Sequence, residues 1–362
     1  MKNKIFFSGL ILVLFILMLS GCLDFFTIDG STTYETHATS ISYTISYGYK
    51  INCTGSGEYR ISYNCDLPEL LNGQIINIIV HNNDYHDELL ATWNYVKSWN
   101  ITSNFNKEYD LGITATVQSQ SFIVSDLNGK NALTIHEIEN QYPDFKSQYT
   151  RAQSNDSTIF IDPNDPNILK TAFQVLYRTG TNNSFLVAKE LFKWLKENTT
   201  YKTHFYNDNV QTASYTFQCK TGDCDDLTFL YISLCRSLKI PARFIRGLLV
   251  EENNAIPHAW AEVFVGGQLG DDGWIPVECA GIAASVESEI HQNFGIEDVE
   301  HLRVFKDDGS NESLNISLSG INYRIYSLNR EISAHSYSNI YNYTIIRTQK
   351  LFIDGNNKRE YK

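Results

Sequence analysis

A cysteine, a histidine and a carboxylate follow one another in the second half of the sequence, and in that order they could carry acyl transfer. The cysteine is Cys224, within Gly222-Asp223-Cys224-Asp225-Asp226. Behind it Leu227, Leu230, Tyr231, Leu234, Cys235 and Leu238 recur at the spacing of an amphipathic helix, which Pro241 must end. Gly222 and Asp223 are start signals, so Cys224 belongs in the first turn. There the unpaired N–H groups and the helix dipole favour a thiolate. Asp223, Asp225 and Asp226 act in the opposite sense, because neighbouring negative charge raises a thiol's pKa. A cationic partner is needed, and a histidine is the natural one.

His258 supplies it, in Pro257-His258-Ala259-Trp260-Ala261-Glu262. Period-two alternation puts His258, Trp260 and Glu262 on one face of a strand. Residues 266–273 form a glycine-rich turn, and Trp274 to Cys279 make a second strand. A symmetric hairpin centred on residue 268 sets His258 opposite Glu278, close enough for a carboxylate to orient an imidazole. Pro276 lacks a ladder N–H, so this strand is expected at an edge or at a bulge. Trp260 and Trp274 read as core, and His204, His291 and His301 as lower-ranking alternatives to His258.

In combination these segments resemble the transglutaminase-like superfamily of papain-fold cysteine enzymes. The matching residues are Gly222-Asp223-Cys224-Asp225-Asp226, His258-Ala259-Trp260 and Trp274-Ile275-Pro276-Val277-Glu278, and the resemblance spans residues 165–305. It implies Cys224 as nucleophile, His258 as general base and acid, Glu278 as the orienting carboxylate and Asp226 as a structural acid. The family more often has Asp where Glu278 stands, and glutamate is one methylene longer. Gln218 lies where papain-type enzymes place an oxyanion-hole amide. The alternative for Gln218 is a surface residue, with the Cys224 backbone N–H as the donor.

The elements that must position these groups read as an α+β fold. Residues 41–150 form a β-rich, sandwich-like domain: Ile41, Tyr43, Ile45, Tyr47 and Tyr49 share one parity, Tyr59 to Tyr63 alternates, and Gln74–Val80, Gly112–Val124 and Ala132–Ile135 are further strands. The Asp162-Pro163-Asn164-Asp165-Pro166 run is a breaker. Residues 151–326 then make the papain-like, transglutaminase-like core, a Cys-bearing helix packed on an antiparallel sheet. Two helices open it, the second carrying Phe185, Ala188, Leu191, Phe192 and Leu195 on one face. Residues 327–362 are a C-terminal β extension.

The N-terminus reads as an export signal. Lys2 and Lys4 precede an apolar run from Ile5 to Leu19, short of the ~20 residues of a spanning helix. The run ends in Leu19-Ser20-Gly21-Cys22, which resembles a lipoprotein signal box with Cys22 as the lipidated residue. Residues 1–22 are the signal segment, 23–40 a polar tether, and the folded part is expected on the extracytoplasmic face of a cell membrane.

The 362 residues are 43% hydrophobic and 19% charged, which excludes a disordered chain, and the net charge is −12. Cleavage before Cys22 removes Lys2 and Lys4, leaving 27 basic against 41 acidic residues and a charge of −14. With no basic run, a nucleic-acid partner is not expected. In an oxidising compartment Cys53 and Cys65, flanking the Thr54–Gly57 turn, are the first candidates for a disulfide. Cys219, Cys224, His258 and Cys279 could in principle bind zinc. Their spacing fits no finger pattern and Asp223 and Asp225 crowd the site, so no metal or cofactor is expected. The reading is a membrane-anchored cysteine peptidase, amidase or acyltransferase acting on protein or envelope-peptide substrates. Its rival is a catalytically inactive envelope-binding module with the same fold.

Overall fold

The computed structural model describes residues 32–203, 210–318 and 322–362. The expected signal segment with Cys22, and His204, lie outside them. Among the described residues no helix is long and apolar enough to cross a membrane.

The front of the chain is built from strands β1 (Thr32–Gly55), β2 (Tyr59–Asp66), β3 (Gly73–Val80), β4 (His86–Leu89), β5 (Tyr95–Ser103) and β6 (Lys107–Gln120). β1 starts inside the segment expected as a tether, in a run of threonines and a tyrosine, residues that suit an extended backbone. Further along, Ile41, Tyr43 and Ile45 are essentially fully buried, as their shared parity predicts. β1 pairs antiparallel with β6, Cys53 opposite Lys107, whereas β2 pairs with β5, Cys65 opposite Lys97. The Thr54–Gly57 turn therefore passes between two sheets and closes no hairpin. Its two cysteines face different partners, and both thiols are buried and free. The disulfide expected between Cys53 and Cys65 is not formed.

After the front come α1 (Ile135–Gln141), α2 (Pro143–Tyr149), α3 (Pro166–Thr179), α4 (Ser184–Asn198), α5 (Ala213–Cys219) and α6 (Cys224–Ser237). The Ala132–Ile135 run is not the expected strand. Thr134 and Glu137 form a capping box there and start α1. Ile138 and Tyr149 of these first two helices join Phe264 and Trp274 in a cluster of their own. Asp165 caps α3 and Pro166 opens it. In α4 the five residues at helical spacing are all fully buried.

β7 (Ala242–Val250), β8 (Ala255–Phe264), β9 (Trp274–Val277), α7 (Val286–Asn293), β10 (His301–Lys306), α8 (Asn311–Leu318), β11 (Asn322–Ile325), β12 (Arg330–Ile353) and β13 (Arg359–Tyr361) complete the chain. An antiparallel sheet runs in the order β9-β8-β7-β10, so Pro276 does sit on an edge strand. α6 packs on β8 and β7 and also meets α3 and α4. Enclosed this way it is buried all round from Asp226 to Ser237, more than the amphipathic spacing implied. Its polar residues are satisfied within: Ser237 Oγ donates to the Pro163 carbonyl at 2.8 Å, and Arg236 donates to the Ala242 and Arg151 carbonyls at 2.7–2.9 Å.

The chain divides into two compact units. The larger holds residues 38–124 and 129–347. In it the front sheets run β12-β1-β6-β3 and β11-β2-β5-β4. Leu248, Val250, Ala255 and Leu302 of the core sheet share one apolar cluster with Ile41, Tyr59, Trp99 and Ile113 of the front. The fold is thus α+β with a β-rich N-terminal region. In the smaller unit, the end of β12 pairs with β13, Leu351 opposite Tyr361, and the Arg359 N–H donates to the Ser125 carbonyl at 2.8 Å.

Candidate active site

The loop ahead of α6 sets the cysteine. Thr221 and Gly222 form a short parallel bridge with Thr200 and Tyr201, and Asp223 and Asp226 make a capping box, the Asp223 N–H donating to Asp226 Oδ2 at 3.1 Å. Asp226 is fully buried, and its other oxygen accepts the Gln211 N–H at 2.6 Å. It acts as the structural acid the resemblance implied. Gly222 is needed for that packing, since a Cβ there would lie 2.5 Å from the Asp226 Cβ. Cys224 is the first residue of α6, and its thiol is free and half-buried.

His258 lies on β8 and Glu278 just beyond β9. The ladder pairs Ala261 with Val277 and Phe264 with Trp274. The hairpin is thus centred on residue 269, one residue beyond the symmetric estimate of 268, and that centre would place His258 across from residue 280. Contact is nevertheless made, because the strand ends at Val277 and the long Glu278 side chain turns back. His258 Nε2 lies 2.7 Å from Glu278 Oε2. Glutamate is one methylene longer than the aspartate the family more often has, and its Oε2 meets His258 despite the shifted register. Three donors then pin the carboxylate: His258, His301 Nε2 at 2.9 Å on the same oxygen, and the Ala280 N–H at 2.6 Å on Oε1.

The thiol meets this assembly at the next residue along β8. The Ala259 backbone N–H hydrogen-bonds Cys224 and favours its thiolate, but burial, then Asp225, Asp223 and Glu278, outweigh it and drive the thiol's pKa well up. For Glu278, burial works to raise the pKa, and the charges and hydrogen bonds of His258 and His301 overcome it, holding the carboxyl well below the usual range. Asp225 is pushed up to about 8 by burial and by the hydrogen bond and charge of Asp223. Burial and the charge of Cys224 raise Tyr201, which marks that phenol as a neighbour of the thiol.

Cys224, His258 and Glu278 are thus brought to one place. Gln218 is not among them: it is exposed on α5. Cys219 is exposed and donates to the Thr221 carbonyl at 3.1 Å, and Cys279 is buried against the Val277 carbonyl, so the considered zinc quartet is not assembled. Donor atoms of His258, Glu278 and His301 lie within 4.8 Å of one another, as do those of Asp223, Cys224 and Asp225. In the first set both Nε2 atoms are spent on the same carboxylate oxygen. Of the alternative histidines, His291 pairs with Glu287 on α7 at 3.0 Å. His301, ranked low from sequence, stands directly behind Glu278. Neither it nor Tyr201 carried a motif that could have singled it out.

The family model of the transglutaminase-like superfamily matches residues 172–279, the stretch from within α3 through Cys279. This segment is a transglutaminase-like core. A crystal structure named a "putative cysteine protease", from Cytophaga hutchinsonii, shares its fold with a TM-score of 0.51 at 15% identity, over 86% of this chain and 99% of that one. The periplasmic domain of TgpA from Pseudomonas aeruginosa aligns with a TM-score of 0.35 at 11% identity, over 68% of this chain and 92% of that one. No curated protein matches the sequence. In the transglutaminase-like core, Cys224 opens the helix, His258 stands on the second strand of the sheet, and Glu278 lies one residue before the end of the matched segment.

Proposed function

We propose that this chain is a cysteine enzyme acting on amide bonds, held on the extracytoplasmic face of a cell membrane by a lipid on Cys22. The Cys224 sulfur attacks the amide carbonyl as its proton passes to His258, and the first N–H groups of α6 receive the oxyanion. His258 returns the proton to the leaving amine, and a thioester remains. Water, giving up a proton to His258, releases the acid and restores the thiol; a lysine amine in its place forms a new amide. Protein or envelope peptides are the expected substrates. The observation that carries this reading is the free thiol against Ala259, one residue from a histidine held at 2.7 Å by Glu278.

The test is a screen of amide and peptide substrates with hydroxylamine present to trap the thioester as a hydroxamate. Turnover and trapping are expected from the native protein and neither from Cys224→Ala. Equal traces from both would end the proposal. Lipid attachment is tested separately by labelled fatty-acid incorporation in cells, which Cys22→Ser should abolish. A second reading, a non-catalytic envelope-binding module, is favoured by one observation, the upward drive on the Cys224 thiol. Labelling by iodoacetamide against pH separates the two. A thiol inert at neutral pH, together with no turnover, favours the module.

A further inference from the structure

His301 meets carboxylates with both ring nitrogens. Nδ1 lies 2.7 Å from Asp298 Oδ1 and Nε2 lies 2.9 Å from Glu278 Oε2. An ionised carboxylate only accepts, so both nitrogens must carry hydrogen and the ring is an imidazolium. The ring is nearly buried, its centroid 5.5 Å from that of His258 and 4.8 Å from that of Trp260. It reaches them from β10, which is not adjacent to β8; β7 lies between. Gly247 leaves room for the Trp260 ring on which His301 packs. It stands opposite His258 in the ladder, and a Cβ on it would come within 2.6 Å of the Trp260 ring.

We propose that His301 is a positioning residue: its imidazolium, clamped between Asp298 and Glu278, fixes the carboxylate that orients His258 and sets a permanent positive charge behind the Cys224–His258 pair. This deepens the catalytic reading of Cys224 and rests on it. The groups facing the ring are Glu278 from the end of β9, His258 from β8, Asp298 from the turn before β10, and Glu300 beside it. Beyond Glu278 the thiol also faces Asp223 and Asp225. Burial alone would strip the proton from His301, but Asp298 and Glu278 together hold its pKa well above the ordinary value. Removing this positive charge favours the protonated form of both thiol and imidazole. Both limbs of a pH–rate profile must then move to higher pH, whichever group carries the proton at rest.

The experiment records iodoacetamide labelling of Cys224, and hydrolysis where a substrate is in hand, against pH for native protein, His301→Gln and His301→Lys. The glutamine variant should shift the limbs up by about one pH unit, the order expected for one charge at this distance with an opposing charge left behind. The lysine variant keeps the charge and should restore them. Limbs that stay in place in His301→Gln, with only the amplitude reduced, would overturn the proposal. Nitrogen-15 NMR of the native ring gives an answer independent of how the variants fold: two protonated nitrogens at pH 7–8 support it, and a neutral ring overturns it. If Cys224 of the native protein neither labels nor turns over, it is the enzyme reading that fails, while the NMR result still decides the state of His301.

Discussion

Replacing Glu262 by glutamine tests the frame on which His258 is carried. Glu262 shares a face of β8 with His258 and Trp260 and is fully buried. Its Oε2 accepts from Arg243 Nε at 2.7 Å, and Oε1 lies 2.7 Å from Arg303 Nη2. Arg303 is held in turn by Glu297, which also accepts the Trp260 indole N–H at 2.9 Å. Burial raises the Glu262 pKa, but the two guanidiniums outweigh it and bring the carboxyl from 4.5 down to about 2. That difference corresponds to about 3 kcal/mol of stability at neutral pH. It falls at the low end of the ~3–5 kcal/mol expected when one partner of a buried pair is removed. Glu262→Gln would leave Arg303 its partner Glu297, and would leave Arg243 against the face of Trp274, 3.9 Å away, and against Tyr149.

The assay is urea unfolding followed by tryptophan fluorescence, with Glu69→Gln as the control. Glu69 pairs with Lys306 at 3.3 Å with both side chains substantially exposed, so its loss should cost under about 1 kcal/mol. The pH dependence has a definite sign. A depressed carboxyl pKa contributes stability that is complete above about 4.5 and lost as pH falls toward about 2. The gap between native protein and Glu262→Gln should therefore close in that window. A gap of about 3 kcal/mol that persists unchanged to pH 2, or a Glu262→Gln variant no weaker than Glu69→Gln, would refute the electrostatic account of this network.

Glu278→Gln leaves Nε2 of His258 without its carboxylate and should lower kcat by about 10²–10⁴-fold, read in the hydrolysis assay, since an amide holds neither the tautomer nor the imidazolium. Asp225→Asn removes a negative charge that raises the thiol's pKa, so iodoacetamide labelling of Cys224 should move to lower pH by about one unit. Gly247→Ala drives a methyl into the Trp260 ring and the Leu302 carbonyl. It should cost about 1–3 kcal/mol in urea unfolding, with activity reduced through the displaced Trp260 ring, which packs on both His258 and His301.

Much of this site is legible in the sequence because its local rules are strict. Gly222-Asp223 before an apolar helical repeat can only start a helix, and that puts Cys224 at its head. Alternation on β8 and the missing N–H of Pro276 place His258 and an edge strand without any tertiary information. What fails is whatever depends on where a strand stops or which sheet it joins. The hairpin is centred one residue from the symmetric estimate, and β9 ends at Val277, so Glu278 lies outside the ladder. The Cys53–Cys65 turn looks like a hairpin until β1 and β2 are seen to pair with different strands. His301 has no motif at all: it reaches Glu278 from a non-adjacent strand, and the Trp260 ring it packs on fits only because residue 247 is a glycine.

The balance of charge around Cys224 gives these details a common sense. Asp225, Asp223 and Glu278 all act against a thiolate, and the Ala259 N–H acts for it. A helix start alone does not turn such a thiol into a resting anion. In the proposed reaction the sulfur would become nucleophilic as its proton passes to His258. For that transfer, orientation of the ring matters more than standing charge. The site invests in orientation: one Glu278 oxygen held by Ala280, the other shared by two imidazoles, and the second imidazole locked by Asp298. His301 serves both needs, since the contact that fixes Glu278 also brings a positive charge to a cluster of acids.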